Sequence, residues 1–473
     1  MWQVRNIPTF FALFFQVFHF NEVIVLAKTF RGGIHLNEHK HTEKCPIEKL
    51  PAPEYVSIPM SQHIGVHCTP LVKAGDKVNK GQLIGAADQG LYCPIHSSIS
   101  GTVRTIEEKK LTSGATVLNV IIDNDFEERL DPSVKPFDKK LIDTTPEEIV
   151  NIVRNAGISG MGGATFPTFA KISSAIGKID TIIINCAECE PFITANHRLI
   201  VENPASVING LKILLKTFSL REGIIAVEDN KPDGIARLNS LIGDSSMIRV
   251  EILKTKYPQG DERQIIYALT GKELPMGKLP ADVGCVIFNA ETCSSIFNAF
   301  ATGMPLIERI VTVDGDCVSY PKNLLVPIGT PYSVLIDFCG GLKKTPWKII
   351  NGGPMMGTAQ WDINAPVTKG TSAILVLSDK YDKKYELAPT CIRCGRCVRG
   401  CPMHLMPNYL GLLAEQNKYE LAEQFDIMSC VECGSCSYNC PGNVPIVQHI
   451  RAAKGEINER RRAKAAMLAA SRK

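Results

Sequence analysis

The spacing of apolar positions changes several times along the chain. From about Lys28 to Asp131, short apolar runs alternate with turn signals such as Ala74-Gly75-Asp76-Lys77 and Ser100-Gly101-Thr102-Val103, which predicts a β-rich module. From about Thr145 the period lengthens. Thr145, Pro146 and Glu148 supply an N-cap, a first-turn proline and a capping-box carboxylate ahead of the helix EEIVNIVRNAG. Strands TIIIN, GIIAV and MIRVEIL then alternate with a helix opened by Asn203-Pro204 and another near DGIARLNSLI. That alternation predicts an α/β layer on a largely parallel sheet. From about Leu306 to Ser378 strands return between Gly and Pro, as ERIVTVDG, YSVLIDFCGG, WKIINGGPMMG and TSAILVL, and predict a small α+β unit. Short helices are expected from Tyr381 to about Lys454. The tail NERRRAKAAMLAASRK reads as a basic helix with a solvated surface.

Composition narrows the class. The chain has 473 residues, more than one core usually spans, so three or four domains are expected. It is 45% hydrophobic and 21% charged with a formal net charge of +4, which gives nucleic-acid binding no electrostatic support. The 17 cysteines are odd in number, and eight sit in one tight array. That argues against an exported disulfide framework and for a reducing compartment where thiolates stay free for metal. In residues 1–28, Phe10, Phe11, Phe14, Phe15, Phe18 and Phe20 make an apolar stretch that Gln16, His19, Asn21 and Glu22 interrupt. A spanning helix needs about 20 mostly apolar residues, so a membrane anchor ranks below a start codon called too early, with Val23, Val25 or Leu26 as the initiator.

The strongest chemical signal is Cys391-Ile-Arg-Cys394-Gly-Arg-Cys397-Val-Arg-Gly-Cys401-Pro402, which recurs as Cys430-Val-Glu-Cys433-Gly-Ser-Cys436-Ser-Tyr-Asn-Cys440-Pro441. Each is C-x2-C-x2-C-x3-C-P. Three close cysteines wrap one face of a [4Fe-4S] cubane, and the fourth ligates the other cluster. Cys391, Cys394, Cys397 and Cys440 are therefore assigned to one cluster, and Cys430, Cys433, Cys436 and Cys401 to the other. Zinc ligands come as two pairs rather than two quartets ending in proline.

Three weaker patterns precede the array. Gly157-Ile-Ser-Gly160-Met-Gly162-Gly163-Ala-Thr-Phe166-Pro167-Thr168-Phe-Ala-Lys171 is glycine-rich and runs into a helix, so it suits a phosphate as readily as a mobile loop. It is not G-x-G-x-x-G, and a helix rather than a strand precedes it, which excludes a Rossmann fingerprint. Asn185-Cys186-Ala-Glu188-Cys189-Glu190-Pro191 follows strand TIIIN, a favourable place for a ligand in an α/β sheet, or an ordinary acid-rich helix start. Cys186 and Cys189 read as packing residues, with a redox disulfide the lesser reading. Ser113-Gly114-Ala115-Thr116 matches a short motif for covalent flavin attachment that four residues meet easily by chance.

The stretch LVKAGDKVNKGQLIG followed by CPIHSSISGTV resembles the barrel-sandwich hybrid of biotinyl and lipoyl carrier domains, but AADQGLY at the hairpin position holds no lysine to modify. Over about Lys28 to Lys454, GISGMGGATFPTFAK, INCAECEPFITANHR, GDERQIIYALTGKELP, FNAETCSSIFNAF and the doubled cysteine motif, in this order, resemble the RnfC subunit of the Rnf-type ion-translocating electron-transport complex. The central part is similar to the flavin- and NADH-binding subunit of respiratory complex I. The resemblance implies a multidomain α/β chain. Its parts would be a barrel-sandwich hybrid (29–131), an FMN/NADH-binding α/β domain (132–304), a β-grasp SLBB-like domain (305–379), a helical two-cluster ferredoxin-like domain (380–455) and a basic tail (456–473).

It further implies non-covalent FMN, NAD(H) as substrate and two [4Fe-4S] clusters. Gly160, Gly162, Gly163 and Lys171 would cradle the FMN phosphate, and Asn185, Glu188, Asn289 and Thr292 would line the flavin. Phe166 would stack on the nicotinamide nucleotide and Glu190 would bond its ribose hydroxyls, with Glu262 near the same pocket. Met161, Thr165 and Ala187 depart from the complex I pattern, which often has Arg, Gly and an acid there. The implied role is a peripheral subunit on the cytoplasmic side of the cell membrane. It would pass electrons between NAD(H), FMN and the clusters beside membrane and ferredoxin-like partner subunits. A stand-alone NADH-dependent flavin–iron–sulfur oxidoreductase and a flavin-less two-cluster wire are the alternatives.

Overall fold

The computed structural model describes residues 27–110, 115–244, 247–381 and 389–470. The phenylalanine-rich stretch, Ser113 and Gly114 of the short flavin motif, and the last three residues lie outside these ranges.

The β-rich module is two small sheets packed face to face. One is antiparallel, in the order Tyr55–Pro59, Thr116–Asn124, Gly101–Lys110, Lys77–Val78. The other joins Thr69–Pro70, Leu83–Ala86 and Ile95–His96. Val56, Ile58, Met60, Ile84, Ile95, Val103, Val120 and Ile122 fill the space between them. The lysine-free AADQGLY stretch forms the turn between Leu83–Ala86 and Ile95–His96, as expected.

The central domain carries a four-stranded parallel sheet, in the order Ile248–Leu253, Gly223–Glu228, Thr181–Cys186, Cys285–Asn289. Helices cover both of its faces, so its strands are continuous apolar runs rather than alternating ones. Ile182 and Ile184 enter one core while Ile183 between them enters the other. Helix Pro146–Asn155 begins with the expected capping box between Thr145 and Glu148. Asn203 caps helix Pro204–Phe218 by accepting from the Ser206 N–H.

The next unit is a six-stranded mixed sheet in the order Ile47–Lys49, Lys322–Pro327, Glu308–Asp314, Ala373–Leu377, Lys348–Asn351, Thr358–Gln360. Two expectations change here. YSVLIDFCGG, expected as a strand, is the helix Tyr332–Phe338. Its buried residues Tyr332, Leu335 and Ile336 follow helical spacing, and Gly340 and Gly341 at positive φ end it. The strand Ile47–Lys49, from the segment expected in the β-rich module, pairs instead with Asn323–Leu325 across the chain. The residues ahead of it are a strap. Lys28 bridges Leu253, Ile34 bridges Tyr257, and the Gly33 N–H donates to Gly400 O at 3.1 Å.

The last unit is helical. Arg396–Arg399 and Pro407–Glu415 have counterparts, at the offset that separates the two cysteine motifs, in Ser435–Tyr438 and the start of Ile446–Ala470. The basic tail continues that last helix. Its first half buries Ile446, Val447, Ile450, Ala453 and Ile457, and residues 458–468 are exposed.

Candidate flavin and iron–sulfur sites

The central sheet changes direction between two strands. The chain lays down Thr181–Cys186, adds two strands on one side, then returns to add Cys285–Asn289 on the other. The carboxyl ends at such a reversal leave a crevice between the loops that follow. Asn185 and Asn289 are Cα partners at this point. The Asn185 amide donates to Gly260 O at 2.8 Å and its oxygen accepts from the Ala187 N–H at 3.0 Å. Asn289 caps helix Ala290–Thr302 by accepting from the Glu291 N–H.

The glycine-rich loop lies over this crevice. The Gly160 N–H donates to Phe166 O at 2.8 Å, and the Met161 N–H donates to Thr292 Oγ1 at 2.9 Å. Gly162 has φ +73°, and a Cβ there would stand 2.8 Å from Asn289 Nδ2. A Cβ on Gly163 would meet nothing, so this backbone is open to an approaching group. The loop runs into helix Thr168–Ala175, whose first turns hold Lys171. Lys171 Nζ lies 3.7 Å from Glu262 and 5.6 Å from the Phe288 ring centroid. Burial lowers its pKa and Glu262 opposes that shift. Ser159 Oγ and Thr168 Oγ1, at either end of the loop, are buried without a partner. Phe166 is exposed beside them. An open glycine backbone, a helix start, a cation and unspent hydroxyls fit the phosphate end of FMN.

The two glutamates both accept from backbone N–H groups. Glu188 accepts from the Asn196 and His197 N–H groups at 2.7 and 3.1 Å, capping helix Ala195–Glu202. Glu190 accepts from the Met355 and Met356 N–H groups at 3.1 and 2.9 Å. The loop that donates, from the mixed sheet, comes so close that a Cβ on Gly353 would stand 2.2 Å from Glu190 Oε2. Burial pushes the Glu190 pKa up to about 7, against those donors and Lys40. Cys186 and Cys189 are free thiols, and burial pushes Cys186 up to about 12.

The eight array cysteines gather as two quartets. One small cavity is lined by Cys401, Cys430, Cys433 and Cys436. The other is lined by Cys391, Cys394, Cys397 and Cys440. Each takes three cysteines from one motif and one from the other. Both loops repeat one backbone pattern, with positive φ at Arg393, Gly395 and His404 and again at Glu432, Gly434 and Asn443. Such left-handed residues turn successive N–H groups toward one point, suited to an anionic cluster.

The cavities differ in surroundings. The inner one abuts the central domain: Tyr257 Oη donates to Cys433 O at 2.8 Å, Gln264 reaches Pro402 O, and Met355 packs against Gly434. At the outer one Cys391 and Cys394 are exposed.

Several of these supports carry no motif. Lys40 is half-buried in the strap and donates to the carbonyls of Glu188, Glu190 and Ile193 at 2.9, 2.8 and 2.6 Å, fixing the loop after Asn185. It sits in NEHKHTEK, which reads as a solvated run. The pair Gly32-Gly33 was the available clue to the strap: a Cβ on Gly32 would stand 2.5 Å from Cys401 O.

A flavin-type crevice beside two four-cysteine cavities defines a flavin–iron–sulfur electron-transfer subunit. Family models match in four places: the RnfC barrel sandwich hybrid domain at 28–127, the Nuo51 FMN-binding domain at 153–298, the SLBB domain at 310–359 and a 4Fe-4S dicluster domain at 383–441. The chain is 44% identical over 436 residues to the C subunit of the Na+-translocating ferredoxin:NAD+ oxidoreductase complex of Acetobacterium woodii, covering 92% of this chain and 98% of that one. It is 43% identical to the C subunit of the proton-translocating complex of Clostridium ljungdahlii, covering 93% and 97%. With the C subunit of the ion-translocating oxidoreductase complex of Rhodobacter capsulatus it shares 40%, covering 91% and 83%. The chain belongs to the RnfC family, the C subunits of the Rnf-type ion-translocating oxidoreductase complexes.

Proposed function

We propose that this chain is the peripheral, nicotinamide-facing subunit of a membrane-bound, ion-translocating NAD:ferredoxin oxidoreductase complex, on the cytoplasmic side. The observation that carries the reading is a pair of crossed cysteine quartets, the inner of which packs against an FMN-type α/β domain. When bound, FMN exchanges a hydride for single electrons and [4Fe-4S] clusters carry those electrons one at a time. The residues supply position. Gly160, Gly162, Gly163 and Lys171 hold the phosphate end. Asn185, Asn289 and Thr292 shape the crevice floor. Phe166 offers a ring to the nucleotide. Cys401, Cys430, Cys433 and Cys436 would hold the inner cluster, and Cys391, Cys394, Cys397 and Cys440 the outer one.

No helix among the described residues is long and apolar enough to cross a membrane. In this reading, ion movement belongs to partner subunits. Anaerobically purified protein is expected to carry about eight iron atoms and one acid-released flavin per chain, and to oxidise NADH with an artificial acceptor. Flavin well below one per chain with full iron would leave only a two-cluster wire and overturn the reading.

A further inference from the structure

The duplicated motif contains its own control. The two loops share cysteine spacing, backbone pattern and helix placement, so a difference between them is not demanded by holding a cluster. The first carries Arg393, Arg396 and Arg399 where the second has Glu432, Ser435 and Tyr438. All three arginines are exposed. Among the described residues, none of the three pairs with a carboxylate; Arg399 Nη1 makes one long contact, 3.4 Å, to Cys394 O.

Several charges elsewhere in this domain are paired internally. Glu432 is held by Arg451 at 3.1 Å and by Lys454 at 2.5 Å. Arg460 pairs with Glu420 and Glu456, and Arg461 with Glu423. Three arginines so close in sequence repel one another, and no carboxylate among the described residues offsets that repulsion. They stand where Cys391 and Cys394 reach the surface, and Arg393 and the exposed Ile392 line the outer cavity itself.

We infer that Arg393, Arg396 and Arg399 form a docking collar around the outer cluster site for the acidic face of a cluster-bearing electron-transfer protein. The inference rests on the cluster assignment proposed above. Guanidinium forks match carboxylates in paired hydrogen bonds. A ring of like charge at an electron exit steers an oppositely charged redox partner and sets its approach. The apolar Ile392 supplies a dry contact inside that ring. A lipid surface is the competing cationic-patch ligand, but headgroups would insulate the exposed cysteines from an electron acceptor.

The test uses anaerobic holo-protein, reduced with dithionite and freed of excess reductant. Each reduced cluster gives one electron to ferricyanide, an anion, or to hexaammineruthenium(III), a cation, and the return of the visible iron–sulfur absorbance is timed. Wild type is expected to favour the anion at low salt, and R393E/R396E/R399E to reverse that preference by on the order of tenfold or more. Added salt should erase the difference. R393K/R396K/R399K should keep it. Added back to membranes lacking this chain, the Glu variant should restore NADH-dependent electron flow at least tenfold less well than wild type at low salt. Binding to phosphatidylglycerol vesicles should be the same for both.

Unchanged acceptor preference with full iron overturns the docking collar alone. Vesicle binding lost with the arginines replaces it with a lipid contact. Wild-type protein without iron overturns the functional reading itself, and the collar falls with it. If the triple Glu variant loses iron, the single variant R393E decides, and an unaltered preference there overturns the collar.

Discussion

Arg309 and Glu291 form a buried ion pair behind the flavin crevice, and breaking it has a calculable cost. Arg309 Nε and Nη2 meet the two Glu291 oxygens at 3.0 and 2.9 Å, and the Ile310 N–H adds a third bond to Glu291 at 2.8 Å. Arg309 also donates to Lys369 O. The pair ties strand Glu308–Asp314 to the first turn of helix Ala290–Thr302, which carries Thr292 and is capped by Asn289. Glu291→Ala strands a guanidinium at 1% exposure, and Arg309→Ala strands a carboxylate at 7%. Removing one partner of such a pair costs about 3–5 kcal/mol, against about 0–1 for an exposed pair. At roughly 2–4 °C per kcal/mol for a domain of this size, the transition should fall by roughly 6–20 °C. The assay follows flavin release by fluorescence during heating of the holo-protein, which reports this domain rather than an average over several. The double variant Glu291→Met, Arg309→Met should recover more than half of the loss, because no charge is stranded. Single variants costing under about 1 kcal/mol, or a double variant no better than the worse single, would refute the account.

Crossed ligation predicts an exchange of phenotypes. Cys401→Ser should remove the iron signal of the inner site, whose other ligands lie in the second motif, and Cys440→Ser that of the outer site; electron paramagnetic resonance with iron counting distinguishes this from each motif keeping its own cluster. Glu190 predicts a pH slope. Its folded pKa, about 7, lies above the ordinary 4.5, so the folded state holds the proton more tightly between these values. Stability from this group is present at low pH and falls as pH rises through that window. Glu190→Gln should remove the slope and gain on wild type above about pH 7, read as melting temperatures across buffers. Parallel curves for the two proteins would show that Glu190 titrates normally.

What the sequence revealed follows from how local the cause was. The central strands were legible because a parallel sheet covered on both faces needs runs such as Thr181–Cys186 that are apolar throughout. The grouping of the cysteines around two cavities, three from one motif and one from the other, was legible because cubane geometry leaves few ways to place two such quartets. YSVLIDFCGG misled because Tyr332, Val334, Leu335 and Ile336 satisfy a strand run and a helical face alike, and burial against the mixed sheet decided for the helix. The remaining surprises are long-range. Nothing near Ile47 announces that it will pair with Asn323, and nothing near Glu190 announces the Met355 and Met356 amides. Lys40 is fixed by three carbonyls some 150 residues away in sequence, a contact that no local period encodes.

Those long-range contacts converge on one boundary. The loop after Asn351 gives its Met355 and Met356 amides to Glu190, and Met355 packs against Gly434 beside the inner cavity. Tyr257 joins the same cavity to the loop around Gly260, which in turn bonds Asn185 in the crevice. The strap adds Ile34 against Tyr257 and Gly33 against Gly400. Three chain segments thus fix the crevice against the inner quartet, while the outer quartet has solvent on its far side. A duplicated motif placed in such unequal surroundings cannot have equivalent halves. Burial and nearby charge set a cluster's potential, and exposure sets which protein can reach it. The inner half is built for a fixed neighbour, and the outer half for one that arrives.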